Sequence, residues 1–234
     1  MFSGNTTTRL RHSRVKWVSV ETAAEVSRTR FVGGTLALDF VNTRDGGPGA
    51  EPDDLVVSYG HLVSWARSAG VLDAGSADAL HAAAHAVPTS AGDAWQRSLQ
   101  VRGALDAVLR PIAAGLRPDD DALARLAAEE AEALAAATLM PARHGQEPEY
   151  EWSWDADASL HRPLRQIVHS ATQLLTNPTA ITRLKQCAGC DYLFMDESKN
   201  RSRRWCSMQD CGTTQKVSRY VAARRARSEG TASS

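Results

Sequence analysis

The run Cys187-Ala-Gly-Cys190-Asp-Tyr-Leu-Phe-Met-Asp-Glu-Ser-Lys-Asn-Arg-Ser-Arg-Arg-Trp-Cys206-Ser-Met-Gln-Asp-Cys211 holds all four cysteines of the chain within 25 residues. The spacing is C-x2-C-x15-C-x4-C. Two close pairs across a medium spacer can set four thiolates around one tetrahedral ion. Gly189 suits a tight knuckle between the first two. The second pair leads into a helix-like stretch from Gly212 to Arg227. Cys211 is therefore expected near a helix N-terminus, where the dipole favours a thiolate. The expected shape is treble-clef-like: a knuckle, a second pair and a helix. Four protein ligands leave no open position, so one structural Zn2+ is expected at Cys187, Cys190, Cys206 and Cys211. An iron–sulfur cluster could use the same ligands. Two disulfides are disfavoured by the expected cytoplasmic location, and a redox C-x-x-C lacks its βαβ setting.

Charge separates this module from the rest. The chain has 234 residues with 27 Lys+Arg and 27 Asp+Glu. From Ile181 to Ser228 there are eleven basic and four acidic residues, a net +7, and the remainder carries −7. Such asymmetry suits a polyanionic partner for the basic half, or attraction between the halves. Lys199, Arg201, Arg203 and Arg204 crowd the spacer. Beyond Cys211, Lys216, Tyr220, Arg224 and Arg227 share one helical face, with Arg219 at its edge. A basic stripe on a zinc module is the footprint of a phosphate-backbone binder, whereas without the metal it would read as a solvated face. Val217 and Val221 should face the finger. Tyr192, Phe194 and Trp205 are read as the packing of the metal module rather than as base-stacking platforms. Asp196 should pair with an arginine or cap the turn at Ser198.

Working outward, residues 1–29 are polar and aperiodic and read as a flexible extension; 228–234 read as a disordered tail. Phe31-Val-Gly-Gly-Thr-Leu-Ala-Leu-Asp-Phe-Val-Asn-Thr43 reads as a short strand or extended segment turning into a helix. Asp45 to Asp54 reads as a loop. Helices are expected over 58–70, 76–86, 92–114 and 119–136, with Pro111 ending or kinking the third. Thr138–Arg143 and Tyr150–Trp154 read as a β-hairpin, with Tyr150, Trp152 and Trp154 on a half-buried face. The triplet suits a core or a dimer interface better than a ligand pocket. Asp155 to Ser159 is expected to cap an amphipathic helix whose apolar face is Leu160, Leu164, Ile167, Val168, Ala171, Leu174 and Leu175, closed by Asn177-Pro178. The fold class is thus α+β: a mainly helical N-terminal domain with a small antiparallel sheet, then the finger. No run of about 18 apolar residues is present, so no membrane span is expected.

The finger residues Cys187-x2-Cys190, Phe194-x-Asp196-x-Ser198-x-Asn200-x-Ser202-Arg203-Arg204-Trp205-Cys206-Ser207-Met208-x2-Cys211-Gly212 resemble the bacterial CGNR zinc finger. The segment Gly33-Gly34-Thr35-Leu36-Ala37-Leu38-Asp39-Phe40-Val41-Asn42-Thr43 resembles the start of the ABATE domain that usually precedes it. The resemblance implies an ABATE-like domain over 30–178 and a finger over 181–227. It implies a stress-linked transcription regulator whose finger contacts DNA. One departure stands out: where that finger has Cys-Gly-Asn-Arg, this chain has Cys211-Gly212-Thr213-Thr214. The ligand is kept and a guanidinium is lost, while Thr213 could serve as a helix cap.

The expected function is a cytoplasmic DNA-binding regulator. Lys199, Arg201, Arg203, Arg204, Lys216, Arg219 and Arg224 would contact double-stranded DNA. The N-terminal domain would sense a small-molecule effector or form a homodimer. The alternative is a zinc-dependent protein-interaction or RNA-binding module. An enzyme is not expected. Asp39, Asn42, His61, His81 and His85 are the polar candidates in the body. His81 and His85 are not part of His-Glu-x-x-His, and no phosphate loop or nucleophile elbow is present. Asp39 and Asn42 are expected to satisfy backbone groups at a turn.

Overall fold

The computed structural model describes residues 30–45, 53–142, 150–214 and 216–217. The expected extension and tail, the hairpin turn, Val221, Arg219 and Arg224 lie outside the described residues.

Helix α1 (Leu36–Val41) follows a non-helical entry over 30–35, in line with the expected segment that turns into a helix. The apolar run after Gly33-Gly34 is not a strand but this helix, capped by the Thr35 hydroxyl accepting from the Leu38 N–H. Ala37, Leu38, Phe40 and Val41 are all buried. A short buried apolar run looks alike as strand or helix, which is why periodicity leaves strand and extended entry both open. The segment read as a loop has paired ends: β1 (Arg44–Asp45) lies antiparallel to β2 (Asp53–Asp54).

Four helices follow, three of them with side-chain caps. α2 (Tyr59–Ser68) is capped by Ser58 and stops at Gly70, whose φ of 75° a side chain would strain. α3 (Ala74–Ala86) is capped by Asp73. α4 (Pro88–Ala113) starts four residues before the expected Gly92, because Pro88 occupies the first turn, where a missing N–H costs nothing. Pro111 falls in its last turn. α5 (Asp120–Ala135) is capped by Asp119.

The expected hairpin is present as β3 (Thr138–Pro141) and β4 (Tyr150–Ser153), with Leu139 opposite Trp152. Its aromatic face differs from expectation. Trp154 is buried and donates its indole N–H to the Ala133 carbonyl at 2.8 Å. Tyr150 and Trp152, in contrast, are 66% and 41% exposed. Among the described residues no second layer covers that face of the two-stranded ribbon, which leaves it in solvent.

Helix α6 (Arg162–Thr176) buries Leu164, Ile167, Val168, Ala171 and Leu174 of the face read from sequence; Leu175 is partly buried, and Leu160 is partly buried but lies before the helix. The expected cap is not formed: the cap position is His161, without a side-chain bond, because Asp155 and Asp157 pair with Arg162 and Arg165 instead. α7 (Pro178–Ile181) leads into β5 (Leu184–Gln186), which pairs antiparallel with β6 (Leu193–Met195). A π-helical turn, Met208–Gly212, follows Cys206, holds Cys211 and continues helically through Thr213 and Thr214. The described strands thus form three two-stranded sheets around a helical body. Among the described residues, no helix is long and apolar enough to cross a membrane.

One large buried cluster joins α1 to α6 and includes Leu184, Leu193 and Met195 from β5 and β6. A second, smaller cluster gathers Cys187, Tyr192, Phe194, Cys206 and Cys211, with Trp205 and Val32 packed against it. Strand alternation explains the split. Leu193 and Met195 point into the helical body, and Phe194 between them points into the finger.

Candidate metal centre

The knuckle Cys187–Cys190 sits in the turn between β5 and β6, closed by the Cys187 N–H donating to the Tyr192 carbonyl at 2.8 Å. Cys206 and Cys211 come from the loop and the first turn of the following helix. All four Sγ atoms lie within 4.8 Å of one another, with Cys190 and Cys206 at 3.5 Å and Cys206 and Cys211 at 3.8 Å. A disulfide needs about 2.05 Å, so these are free thiols. A tetrahedral zinc with bonds of about 2.3 Å separates its sulfurs by about 3.8 Å, and the cluster brackets that value.

The ionisation of the thiols points the same way. Burial raises the Cys187 thiol, but the N–H groups of Cys206, Gly189 and Cys190 outweigh it and lower its pKa. Cys190 is pushed up by the neighbouring Cys206 and by burial, and Cys211 is pushed up to about 12 by burial and by Cys190. Four crowded thiols cannot all ionise without a cation among them. Zn2+ supplies that charge and holds the loop, the knuckle and the helix together. With four protein ligands it is a structural ion.

The spacer is built on a buried carboxylate. Asp196 is fully buried. It accepts from Lys185 Nζ at 2.7 Å, from the Ser198 N–H and hydroxyl at 3.0 and 2.6 Å, and from the Arg203 N–H at 2.9 Å. Burial alone would raise its pKa; those donors hold it well below the usual carboxylate range. The cap at Ser198 was expected. The charged partner is Lys185 rather than an arginine, because β5 pairs with β6 and lays Lys185 beside the end of that strand. Lys185 also donates to the Arg201 carbonyl at 2.5 Å.

The cations fall into two groups. Lys199, Arg201, Arg204 and Lys216 are exposed. Arg201 donates to the Thr182 hydroxyl, and Arg204 lies over the Trp205 ring at 5.5 Å. Arg203 is half-buried, lies over the Phe194 ring at 5.1 Å and donates to the Cys206 carbonyl at 2.5 Å. Tyr192 and Phe194 form the finger's core, as expected. Val217 does not face the finger: it is 56% exposed, because the core ends at Cys211, about one and a half turns earlier. Thr213 is not the cap either. The helix starts at Met208, so Ser207 caps it, accepting from the Asp210 N–H, and the Thr213 hydroxyl donates to the Met208 carbonyl.

Several contacts hold the finger to the body, among them an ion pair of Arg30 with Asp210 at 3.6 Å. The Asn42 amide pairs with the Leu193 backbone in both directions, each at 2.9 Å, like an added strand residue. The Met195 N–H donates to the Gly33 carbonyl at 2.8 Å. Arg110 donates to the Asp191 carbonyl at 2.7 Å. Gly34 combines a φ of 85° with a would-be Cβ 3.1 Å from Met195, so a side chain fits neither the backbone nor the space. Asp39 accepts from the Gly33 N–H at 2.8 Å; burial lifts its pKa to about 6 against that bond and the Val32 N–H. Asp39 thus satisfies a local backbone group, as expected. Asn42 reaches a strand 151 residues away. Sequence reasoning missed Asn42 as an anchor, and also Lys185 and Arg110, since none lies in a chemical motif. In the body, buried His61 bonds the Ser58 hydroxyl through Nδ1. Among the described residues no other group of three or more His, Cys, Asp or Glu side chains could hold a metal.

Family comparison agrees with this division. The ABATE family, described as "Putative stress-induced transcription regulator", matches residues 34–178. The CGNR zinc finger matches residues 183–225. No curated protein matches the chain. The first match begins at the glycine that docks on Met195 and the second contains all four ligands. The chain therefore belongs to the ABATE family and carries its metal in a C-terminal CGNR zinc finger.

Proposed function

We propose that the protein is a cytoplasmic DNA-binding transcription regulator whose finger grips the phosphate backbone of double-stranded DNA. The observation that carries this reading is the exposure of four cations, Lys199, Arg201, Arg204 and Lys216, on the loop and helix that hold the metal ligands Cys206 and Cys211. Arg203 supports that surface from within, through Phe194 and the Cys206 carbonyl. Arg219 and Arg224 extend the basic surface in sequence. Phosphate contacts release counterions, so affinity should fall steeply with salt.

Anisotropy titration of the zinc-loaded chain with random duplex DNA at several salt concentrations tests this. Replacing Lys199, Arg204 and Lys216 together by alanine is expected to flatten the salt slope by about 3, near 0.9 per lost contact. An unchanged slope would move the contact surface elsewhere. Tighter binding to single strands would favour an RNA-binding module, and absence of binding at low salt a protein-interaction module.

A homodimer fits the ribbon β3–β4. Leu139 and Trp152, and Pro141 and Tyr150, are opposed pairs, so four exposed apolar side chains share one face. An exposed apolar face of this kind suits a second copy of the chain. Light scattering is expected to give twice the chain mass, and Trp152→Lys the monomer. A monomeric wild type would remove this part of the proposal.

A further inference from the structure

Between α4 and the β1–β2 ribbon lies a cavity of about 830 Å3, within the range of small-molecule sites. Its floor is one face of α4: Leu99, Gly103, Asp106 and Arg110. One wall is fixed: Arg102 is committed to Thr43 and to Asp54. Two other guanidiniums have donors to spare. Arg44 is exposed; its charge acts on the Asp54 carboxylate, which Arg102 already holds, and among the described residues its guanidinium makes no hydrogen bond. Arg110 binds Asp106 through Nε and the Asp191 carbonyl through Nη1, which leaves Nη2. Val41 and Leu99 supply an apolar side.

Gly103 is the second observation. It lies in the middle of α4, where glycine weakens a helix relative to alanine. Its φ is not positive, and a Cβ built there meets nothing within 4 Å. Neither backbone conformation nor packing accounts for a glycine at this position. Its effect is to deepen the cavity floor.

We infer that this cavity binds a small organic acid, its carboxylate between Arg44 and Arg110 and its apolar body along Val41 and Leu99. Fork-shaped guanidiniums suit a carboxylate, and the apolar side selects against a bare inorganic anion. The site also touches the finger's anchors. Arg110 holds the carbonyl of Asp191, next to the ligand Cys190, and Val41 precedes Asn42. An occupant that draws on Arg110 bears on the knuckle, and this coupling rests on the regulator reading above; the site itself does not.

Calorimetry of the zinc-loaded full chain with octanoate, in the absence of DNA, tests the site separately from that reading. Octanoate is expected to bind at one site, and uncharged octanamide at least tenfold more weakly. Arg44→Gln should weaken octanoate at least tenfold. Gly103→Phe should abolish it while zinc content and helical signal stay as in the wild type. No octanoate binding up to about 10 mM would overturn the assignment. So would equal affinity for octanamide, or full affinity in Arg44→Gln.

Discussion

Cys206→Ser is expected to release the zinc and lower the thermal midpoint of the whole chain by roughly 10–15 °C, with most helical signal kept at room temperature. Structural zinc supplies about 10–16 kcal/mol to small fingers, as much as the net stability of many whole domains. The finger core is small: Tyr192, Phe194, Trp205 and the cysteines themselves. It cannot hold its shape without the ion. The damage spreads because β6 belongs to both clusters. When Phe194 loses its surroundings, Leu193 and Met195 lose the strand that aims them into the body, and Asn42 loses its backbone partner. A loss of about 4 kcal/mol at about 2–4 °C per kcal/mol gives the stated shift. The helices persist because α1 to α6 bury their own core, including Trp65, Leu105 and Ile167. Circular dichroism with metal analysis reads both effects. An unchanged midpoint in the metal-free variant would mean that finger and body fold independently. Loss of all helicity at 25 °C would mean that the β6 edge carries the body.

What was legible beforehand follows from how local each signal is. The four ligands lie in 25 residues, and spacing alone joins them. Ser58, Asp119 and Gly70 mark helix ends because a cap bonds three residues away and a left-handed glycine acts on its own backbone. The α6 face repeats every three to four residues and stands out for the same reason. The misreadings are cases where a distant partner decides. Leu36–Val41 is apolar except for Asp39 because finger and helices enclose it, so its pattern does not separate strand from helix. Arg203 sits among exposed cations in sequence, yet Phe194 and the Cys206 carbonyl draw it inward. Tyr150 and Trp152 alternate like a half-buried strand, but burial requires a second layer, and nothing in the strand itself says whether one exists. Asn42 and Leu193 are too far apart in the chain for any local rule to pair them.

Asp196→Asn is expected to destabilise the zinc-loaded protein by about 1–3 kcal/mol at pH 7, the usual cost of leaving buried hydrogen-bonding groups without a partner. Asparagine has nearly the same shape, so the cost is chemical. One carboxylate oxygen accepts from the Ser198 N–H and hydroxyl. The other accepts from Lys185 and the Arg203 N–H. An amide offers one acceptor and one NH2, so whichever way it turns, a donor faces a donor. The half-buried ammonium of Lys185 also loses its countercharge. The sign with pH follows from the depressed pKa of Asp196. The carboxylate's contribution is fully present above the unfolded value near 3.9 and is lost as pH falls towards the lower folded value. Between pH 6 and 8 the wild type is ionised throughout, so the gap between the two proteins should stay constant there. It should narrow only below about pH 4. Denaturant unfolding at pH 6, 7 and 8, with zinc content checked at each, measures this. A gap under 1 kcal/mol would mean that the spacer loop is held by the metal alone, with Asp196 a bystander. A gap that changes between pH 6 and 8 would mean that another group titrates with it. The expected result makes the Lys185–Asp196 pair, together with the zinc, the fixture on which the exposed Lys199 and Arg204 are mounted.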